Sequence, residues 1–172
     1  IVGSTKEDLA IEKRVSITPE TAKNIKGLGL KVLIEKNYAT HLGIDDNEYE
    51  KTGAEIKGSS SEVLNSSDLI IKVNCPSENE ISLLKESTIL IGMLNPLNNK
   101  VQIDKILKKK IKIFSLELLP RITRAQSMDV LSSQSNLAGY RAVVDCVAEF
   151  EKAVPMMMTA AGTVPAAKVL VI

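Results

Sequence analysis

Residues 69–93 read LIIKVNCPSENEISLLKESTILIGM and show the pattern from which the fold class is predicted. The stretch holds two continuous apolar runs, at residues 69–73 and 88–93. Between them, Ser77 and Glu80 have the spacing of a capping box, which indicates the start of a helix. Continuous apolar runs, in contrast to alternating ones, are typical of strands that a parallel sheet buries on both faces. The stretch therefore predicts a strand, a helix and a second strand in succession.

The same alternation continues along the rest of the chain. Further apolar runs lie at residues 1–3, 32–35, 111–115 and 168–172. Thr18, Pro19 and Glu20 indicate a helix start, and Gly27 or Gly29 is expected to end that helix. Repeated strand–helix units predict the α/β class, with a doubly wound, mostly parallel sheet flanked by helices.

The composition excludes several classes of function. A length of 172 residues suffices for one domain with a real core. A net charge near +1 and an aromatic content of 3% argue against binding of nucleic acid. No apolar run approaches the length of a transmembrane helix, so we expect a soluble chain. Cys75 and Cys146 are predicted to be free thiols, no metal site is expected, and the only histidine, His41, is predicted to lie on the surface.

Two short motifs have structural interpretations. Gly27-Leu28-Gly29 looks like a piece of a dinucleotide fingerprint, but a helix precedes it and a strand follows, whereas phosphate binding needs the reverse order. The end of a helix is the favoured interpretation. Residues 156–158, three methionines, are interpreted as adaptable packing in the core.

The most polar stretch, residues 121–135, precedes a long amphipathic helix. Apolar residues recur from Leu137 to Phe150 at spacings of three and four, which places the helix start near Leu137. Guanidiniums, amides, a carboxylate and hydroxyls in the polar stretch suit hydrogen bonding to a polar ligand. A strand over residues 111–118 would deliver them to the carboxyl edge of the sheet, where such folds bind ligands. A capped helix start with a serine-rich surface loop is the competing interpretation.

Two cations are expected near the same edge. Arg14 follows the first strand, and Lys72 lies at the end of the strand at residues 69–73. A cation at this position could hold a carboxylate or a phosphate. A lysine with a buried stem and an ammonium that reaches solvent is an equally good interpretation of Lys72.

The polar stretch resembles a known family. Residues 120–129, PRITRAQSMD, and residues 131–143, LSSQSNLAGYRAV, resemble the NAD(H)-binding component of proton-translocating NAD(P) transhydrogenase, the N-terminal region of its alpha subunit. This component and alanine dehydrogenase share one family of N-terminal domains. The similarity extends over essentially the whole chain, with shorter matches at residues 6–7, 14–15, 18–20, 159–162 and 164–165.

The resemblance implies a domain organisation. It assigns residues 1–133 to an N-terminal α/β subdomain and residues 134–158 to a long connecting helix and linker. Residues 159–172 would be the approach to a Rossmann NAD-binding subdomain and its first strand. The glycine-rich turn that follows this strand in the family is absent here, and an unpaired apolar strand is an aggregation hazard. We therefore expect a fragment that lacks the rest of the Rossmann subdomain.

The resemblance also implies the site residues. Arg121, Asp129 and Ser132 would hold the carboxamide and ribose region of NAD(H). Gln126 would steer the dihydronicotinamide toward NADP(H) carried by a partner component, so Gln126 and Asp129 are the expected catalytic residues. Because hydride passes directly between the two nucleotides, we expect the protein to contribute alignment more than acid–base chemistry.

Partners and location follow from the same family. We expect the NADP(H)-binding component and a membrane proton channel as partners, and a homodimer in the full protein. The component would lie peripherally at the cytoplasmic, or mitochondrial-matrix-like, face of the membrane.

Two alternatives remain open. One is an alanine dehydrogenase-like, NAD-dependent amino-acid oxidoreductase, in which residues corresponding to Arg14 and Lys72 bind the keto acid. That family has a catalytic histidine after the fourth strand, where this chain has Asn95, which cannot act as the acid or base of the reaction. The other alternative is a folded, non-catalytic piece used for subunit contact alone.

Overall fold

Six parallel strands form the central sheet. The structure, a computed structural model, describes residues 1–171. The strands are β1 (Val2–Ser4), β2 (Val32–Glu35), β3 (Glu55–Lys57), β4 (Leu69–Asn74), β5 (Ile89–Met93) and β6 (Lys112–Ser115). They are hydrogen-bonded in the order β3-β2-β1-β4-β5-β6, and every neighbouring pair is parallel. The predicted fold class is confirmed.

Helices connect the strands and cover both faces of the sheet. They are α1 (Pro19–Gly27), α2 (Asp46–Thr52), α3 (Ser60–Ser66), α4 (Glu78–Leu83) and α5 (Lys100–Lys108). One core cluster joins α1 and α2 to β1 and β2. A second cluster joins α3, α4 and α5 to β4 and β5. The division into two cores reflects helices that pack on opposite faces, as a doubly wound sheet requires.

Local caps begin and end the helices where the sequence indicates. Thr18 Oγ1 accepts a hydrogen bond from Thr21 N at 3.2 Å, at the start of α1. The predicted capping box of Ser77 and Glu80 forms at the start of α4. Gly27 is the last residue of α1, and Gly29 follows with a φ of 82°, which favours glycine. The interpretation of these glycines as a helix end is confirmed.

The sheet differs from expectation in two places. Strand β3 was not predicted, because this edge strand contains a single apolar residue and therefore no apolar run. The predicted strand over residues 111–118 ends at Ser115, and a 3-10 turn, Leu116–Leu118, follows. Glu117 stabilises this turn, since its Oε1 accepts hydrogen bonds from Ser115 Oγ at 2.8 Å and from Asn95 N.

The chain divides into two compact units, Ile1–Met128 and Asp129–Ile172. The first unit holds the sheet. The second unit contains α6 (Val130–Glu149) and an antiparallel hairpin formed by β7 (Met157–Thr159) and β8 (Gly162–Val164). No helix among the described residues combines the length and the apolar character needed to cross a bilayer.

The start of α6 lies earlier than predicted. The helix begins at Val130 and not near Leu137, so much of the polar stretch is helical. Asp129 is the reason, because its Oδ1 accepts a hydrogen bond from Ser132 N at 2.9 Å and satisfies a free donor of the first turn. A capped helix needs no apolar residue at its start. The spacing of apolar residues therefore did not reveal that α6 begins at Val130.

Two expectations about the second unit are wrong. The methionines at residues 156–158 do not pack in a core; Met158 is 84% exposed and lies in β7. The predicted strand at residues 168–172 is not formed over residues 168–171, which pair with no strand in the described region of the chain, while Ile172 lies outside that region. An apolar run becomes a strand only where a neighbouring strand supplies hydrogen-bond partners.

Candidate functional site

A crevice opens where β1 and β4 lie side by side. The chain order reverses between these strands, since β2 and β3 extend to one side and β5 and β6 to the other. Ligands of open α/β sheets bind at the carboxyl ends of the strands at such a switch point. The structure has a cavity of about 490 Å³ there, which we call the switch-point crevice. Its lining includes Lys6, Glu7, Lys72, Asn74, Glu80 and Asn95.

Lys72 is the buried cation of the switch-point crevice, with 4% of its surface exposed. Its Nζ donates to Glu80 Oε1 at 2.5 Å, to Thr5 Oγ1 at 3.3 Å and to the backbone oxygen of Lys6 at 3.3 Å. Glu7 Oε2 lies 3.9 Å from the same nitrogen. The ammonium does not reach solvent, so the interpretation of Lys72 as a lysine with a buried stem and a solvent-exposed ammonium is wrong. Its donors are instead directed at groups of the protein itself.

The two carboxyl groups near Lys72 have opposite pKa shifts. Burial raises the pKa of Glu7, and Lys72, at 3.9 Å, only partly offsets that effect. Burial acts in the same direction on Glu80, but Lys72 and the hydrogen bonds from Ser77 hold the pKa of Glu80 below its ordinary value. When both carboxyls are ionised, the cluster has one negative charge in excess.

Arg14, the other cation considered at this edge, is engaged elsewhere. Its Nε donates to Glu12 Oε1 at 2.9 Å, and its Nη2 donates to Glu12 Oε2 at 2.6 Å. These hydrogen bonds lower the pKa of Glu12 and raise the pKa of Arg14. Arg14 does not line the switch-point crevice. The structure therefore does not bring Arg14 and Lys72 together as a shared anion site.

The histidine and the cysteines agree with the predictions made for them. His41 is exposed, and its Nε2 lies 2.7 Å from the backbone oxygen of Lys13. Cys75 and Cys146 are both free. Cys75 lines the switch-point crevice, where burial raises the pKa of its thiol to about 11. A thiol with this pKa stays protonated near neutrality and is a poor nucleophile.

A buried hydroxyl cluster that no sequence pattern predicted fixes the loop that follows β1. The Tyr38 hydroxyl lies 2.7 Å from Ser4 Oγ and accepts a hydrogen bond from Ser16 N at 3.0 Å. Both serine hydroxyls donate to the backbone oxygen of Ile71, at 2.8 and 3.0 Å. The cluster thus joins the loop to β4 beside the switch-point crevice. Ser4 and Tyr38 are 34 positions apart, and no local pattern links them.

Arg121 and Gln126, both predicted site residues, lie at the end of the first unit. A 3-10 segment, Thr123–Met128, carries Gln126 and is anchored by the buried side chain of Ala125. Both Arg121 and Gln126 are exposed. Among the described residues, neither side chain has a hydrogen-bond or ion-pair partner. Their donors and the amide oxygen of Gln126 are therefore available to a ligand.

Asp129 and Ser132, the other predicted site residues, open the second unit. Asp129 Oδ1 accepts from Ser132 N at 2.9 Å, and Asp129 Oδ2 accepts from Ser132 Oγ at 2.6 Å. The structure brings this pair together as the N-terminal cap of α6. The competing interpretation of the polar stretch, a capped helix start, is therefore confirmed at Asp129, and these two polar groups already bind each other.

The chain is similar to known proteins of one family. A family model described as alanine dehydrogenase/PNT, N-terminal domain, matches residues 3–138. A Rhodospirillum rubrum protein named as the first portion of NAD(P) transhydrogenase subunit alpha is 46% identical over 175 aligned residues, which cover 99% of the chain and 46% of that protein. The crystal structure of transhydrogenase from Sinorhizobium meliloti is 45% identical, with a TM-score of 0.90 over 97% of the chain and 50% of that one.

An L-alanine dehydrogenase structure shares the fold alone. It is 22% identical, with a TM-score of 0.64 over 67% of the chain and 32% of that protein. The chain spans about half the length of the transhydrogenase relatives described above.

Proposed function

The chain belongs to the alanine dehydrogenase/PNT N-terminal domain family, and we propose that it is a portion of the NAD(H)-binding component of a proton-translocating NAD(P) transhydrogenase. The complete enzyme would transfer hydride between NAD(H) and NADP(H). Similarity to transhydrogenase alpha subunits over 99% of the chain supports this proposal. The identity to a curated alanine dehydrogenase of Methanococcus maripaludis is lower, 36% over 81% of the chain, which supports the proposal further.

The observation that carries the proposal is the availability of Arg121 and Gln126. Both side chains are exposed on a segment that follows the last strand of the sheet, and neither is used within the described structure. An amide offers donors and an acceptor without titrating near neutrality, so Gln126 can orient a carboxamide-bearing ring without exchanging protons with it. The nicotinamide supplies the redox chemistry, and alignment is the task left to the chain.

Asp129 and Ser132 would complete the cofactor site. The hydrogen bonds that cap α6 fix the positions of the Asp129 carboxylate and the Ser132 hydroxyl. A carboxylate oxygen has more than one lone pair, so Asp129 can cap the helix and accept from a ribose hydroxyl or a carboxamide as well. We assign Gln126 and Asp129 to positioning at the reacting ring, and Arg121 and Ser132 to binding of NAD(H).

The partners and the location belong to the same proposal. Relatives of the chain are named as subunits or portions of subunits, which supports an assembly of several components. We propose an NADP(H)-binding component and a membrane proton channel as partners, with a homodimer in the full protein. The component would lie peripherally at the cytoplasmic, or matrix-like, face of the membrane.

Amino-acid oxidation is the less favoured candidate. A keto-acid site would need free cations, but the donors of Lys72 are directed at protein oxygens and Arg14 is bound to Glu12. Asn95 stands where a general acid or base is needed. Alanine and NAD⁺ should therefore give no NADH with the full-length protein. Turnover of alanine at an ordinary enzymatic rate of about 1 s⁻¹ or more would overturn the proposal.

Cofactor binding at the predicted position can be observed directly. We expect NADH, added to ¹⁵N-labelled full-length protein, to shift the backbone amide of Gln126 and its neighbours at residues 121–132. The amide of His41, on another loop of the first unit, is the internal control and should not move. Saturable NADH binding without shifts at residues 121–132 would exclude the assigned site. Absence of NADH binding would favour a role in subunit contact alone.

A further inference from the structure

Glu117 links the ends of two neighbouring strands. Asn95 lies two residues beyond the end of β5, and Glu117 lies two residues beyond the end of β6. Glu117 Oε1 accepts hydrogen bonds from Asn95 N and from Ser115 Oγ, the latter at 2.8 Å. A single carboxylate oxygen therefore holds the loop after β5 against the turn after β6. We call the contact between Asn95 N and Glu117 Oε1 the Asn95–Glu117 tether.

The Asn95 side of the tether is a rigid anchor. The backbone oxygen of Asn95 accepts hydrogen bonds from Asn98 N and Asn99 N, both at 3.0 Å, and Asn99 Nδ2 donates to the backbone oxygen of Leu94 at 2.9 Å. Asn95 itself has a φ of 43°, in the left-handed region that residues other than glycine adopt only where their surroundings hold them there. Glu117 is thus bound to a backbone amide whose own position is fixed.

The Glu117 side of the tether begins the segment that carries Arg121 and Gln126. Arg121 follows Glu117 by four positions. The chain turns tightly at this point, because Ile122 N donates to the backbone oxygen of Pro120 at 3.0 Å and the proline ring restricts its own φ. The short connection has little freedom to absorb a displacement, so a shift of Glu117 would move Arg121 as well.

Apolar contacts alone do not fix the position of this segment. Leu116, Leu119 and Met128 line an apolar groove of about 480 Å³ together with Ile91 of β5. Apolar contacts are non-directional, so they favour burial of the segment without selecting one position along the groove. A hydrogen bond depends on both distance and angle, and therefore selects one position. The Asn95–Glu117 tether supplies that selection.

The second oxygen of Glu117 is a cost to stability. Glu117 Oε2 is buried and has no hydrogen-bond partner among the described residues. A buried acceptor without a donor destabilises a fold, so a glutamate in this position calls for an explanation other than stability. The position of the segment that follows it provides that explanation.

We infer that Glu117 is a positioning residue for hydride transfer: through the Asn95–Glu117 tether it sets where Arg121 and Gln126 leave the sheet. This inference rests on the proposed function, because it concerns the site that those two residues are proposed to form. Arg121 and Gln126 lie on one segment, so loss of the tether should weaken NADH binding and slow hydride transfer together. Gln126→Asn differs, because it should slow the transfer with little change in affinity.

The substitution Glu117→Met removes both oxygens and keeps a side chain of similar length. We expect the affinity for NADH and the rate of hydride transfer by the assembled full-length enzyme each to fall by about tenfold or more, since small misplacements of aligned groups are costly. Glu117→Gln keeps an acceptor for Asn95 N and should restore both quantities to near wild-type values. Ser115→Ala is the matched control, because it removes the other donor to the same oxygen and leaves the tether in place.

NADH titration and stopped-flow kinetics measure the two quantities, and urea denaturation measures the free energy of unfolding of each variant. A folded Glu117→Met variant with wild-type affinity and rate would overturn the inference, whatever its free energy of unfolding, because Glu117 would then be structural only. Equal losses in Ser115→Ala would also overturn it, since the turn after β6 and not the link to Asn95 would then be responsible. Losses in Glu117→Gln as large as those in Glu117→Met would exclude the tether as their cause.

Amide spectra of ¹⁵N-labelled full-length protein without cofactor separate this inference from the proposed function. We expect the amides of Arg121 and Gln126 to shift in Glu117→Met and to stay in place in Ser115→Ala; unchanged amides in Glu117→Met would overturn the inference. Should Glu117→Met fail to fold, hydrogen exchange of the wild type decides, because the Asn95 amide should be protected and an unprotected amide would show that the tether does not form. Absence of NADH binding by the wild type would instead refute the proposed function.

Discussion

The switch-point crevice and the polar segment around Gln126 both display hydrogen-bonding side chains, yet they use them in opposite ways. In the crevice, Lys72 is buried and its donors are directed at the protein's own oxygens. In the polar segment, Arg121 and Gln126 are exposed and unused within the described structure. The buried cation of the crevice is therefore already paired within the protein, whereas Arg121 and Gln126 are not.

This difference separates polar groups that stabilise a fold from polar groups that bind a ligand. A buried charge must be paired, because an unpaired one is strongly destabilising. An exposed amide or guanidinium has no such requirement, and it can exchange water for a ligand at small cost. Asp129 lies between these cases, since it caps α6 and each of its carboxylate oxygens can accept more than one hydrogen bond.

The largest effect should follow from loss of the cation in the crevice. Lys72→Met leaves Glu7 and Glu80 buried without a counter-charge, and removal of one partner of a buried pair costs about 3–5 kcal/mol. Urea denaturation of the full-length protein would measure the change in the free energy of unfolding. Lys105→Met is the control, because its exposed pair with Glu78 contributes about 1 kcal/mol or less. Equal losses in both variants would contradict the view that the crevice is structural.

The next largest effect should be on hydride transfer. Gln126→Asn shortens the amide by one methylene, and a misplacement of about 1 Å can slow a reaction by about 10²-fold. We expect a loss of this order in hydride transfer by the assembled full-length enzyme, with NADH affinity changed by only a few fold. Stopped-flow kinetics and NADH titration measure the two quantities. Ser127→Ala, a change in the same 3-10 turn, should leave both unchanged; parallel losses in rate and affinity would show that Gln126 anchors the cofactor.

The smallest expected effect is the loss of stability at Asp129, which caps α6 and is also assigned to the NAD(H) site. Asp129→Ala should destabilise the full-length protein by about 1 kcal/mol through loss of the N-terminal cap of α6. Asp129→Asn retains a good capping residue, so the free energy of unfolding should remain nearly that of the wild type. If Asp129 also binds NAD(H), Asp129→Asn will weaken NADH binding without that loss of stability. Unchanged NADH affinity in Asp129→Asn would restrict Asp129 to capping.

Much of the fold could be predicted because it depends on local signals. The run LIIKV at residues 69–73 is apolar because β4 lies inside the sheet, and Ser77 caps α4 in the manner that its spacing indicates. The two errors in the secondary structure, at β3 and at the start of α6, also have local causes. β3 is an edge strand with few apolar residues, and α6 starts at a polar cap that apolar spacing does not detect.

The candidate site was only partly predictable. The residues Arg121, Gln126, Asp129 and Ser132 came from a family resemblance, and the structure adds that the first two are available while the last two bind each other. Their roles toward NAD(H) remain predictions. The partners of Lys72 could not have been named from the sequence, because a strand-end lysine has the same local pattern whether it reaches solvent or a buried carboxylate.

The sequence by itself determined most of the strands and helices of the first unit, since the periodicity of apolar residues and the capping residues act within a few positions of one another. Tertiary structure decided which polar groups meet: Lys72 with Thr5 and Glu80, and Ser4 with Tyr38 and Ile71. Two of these pairs, Lys72 with Thr5 and Ser4 with Ile71, are 67 positions apart. The order of strands in the sheet brings them together, and that order follows from the burial of the whole chain and not from any one segment of it.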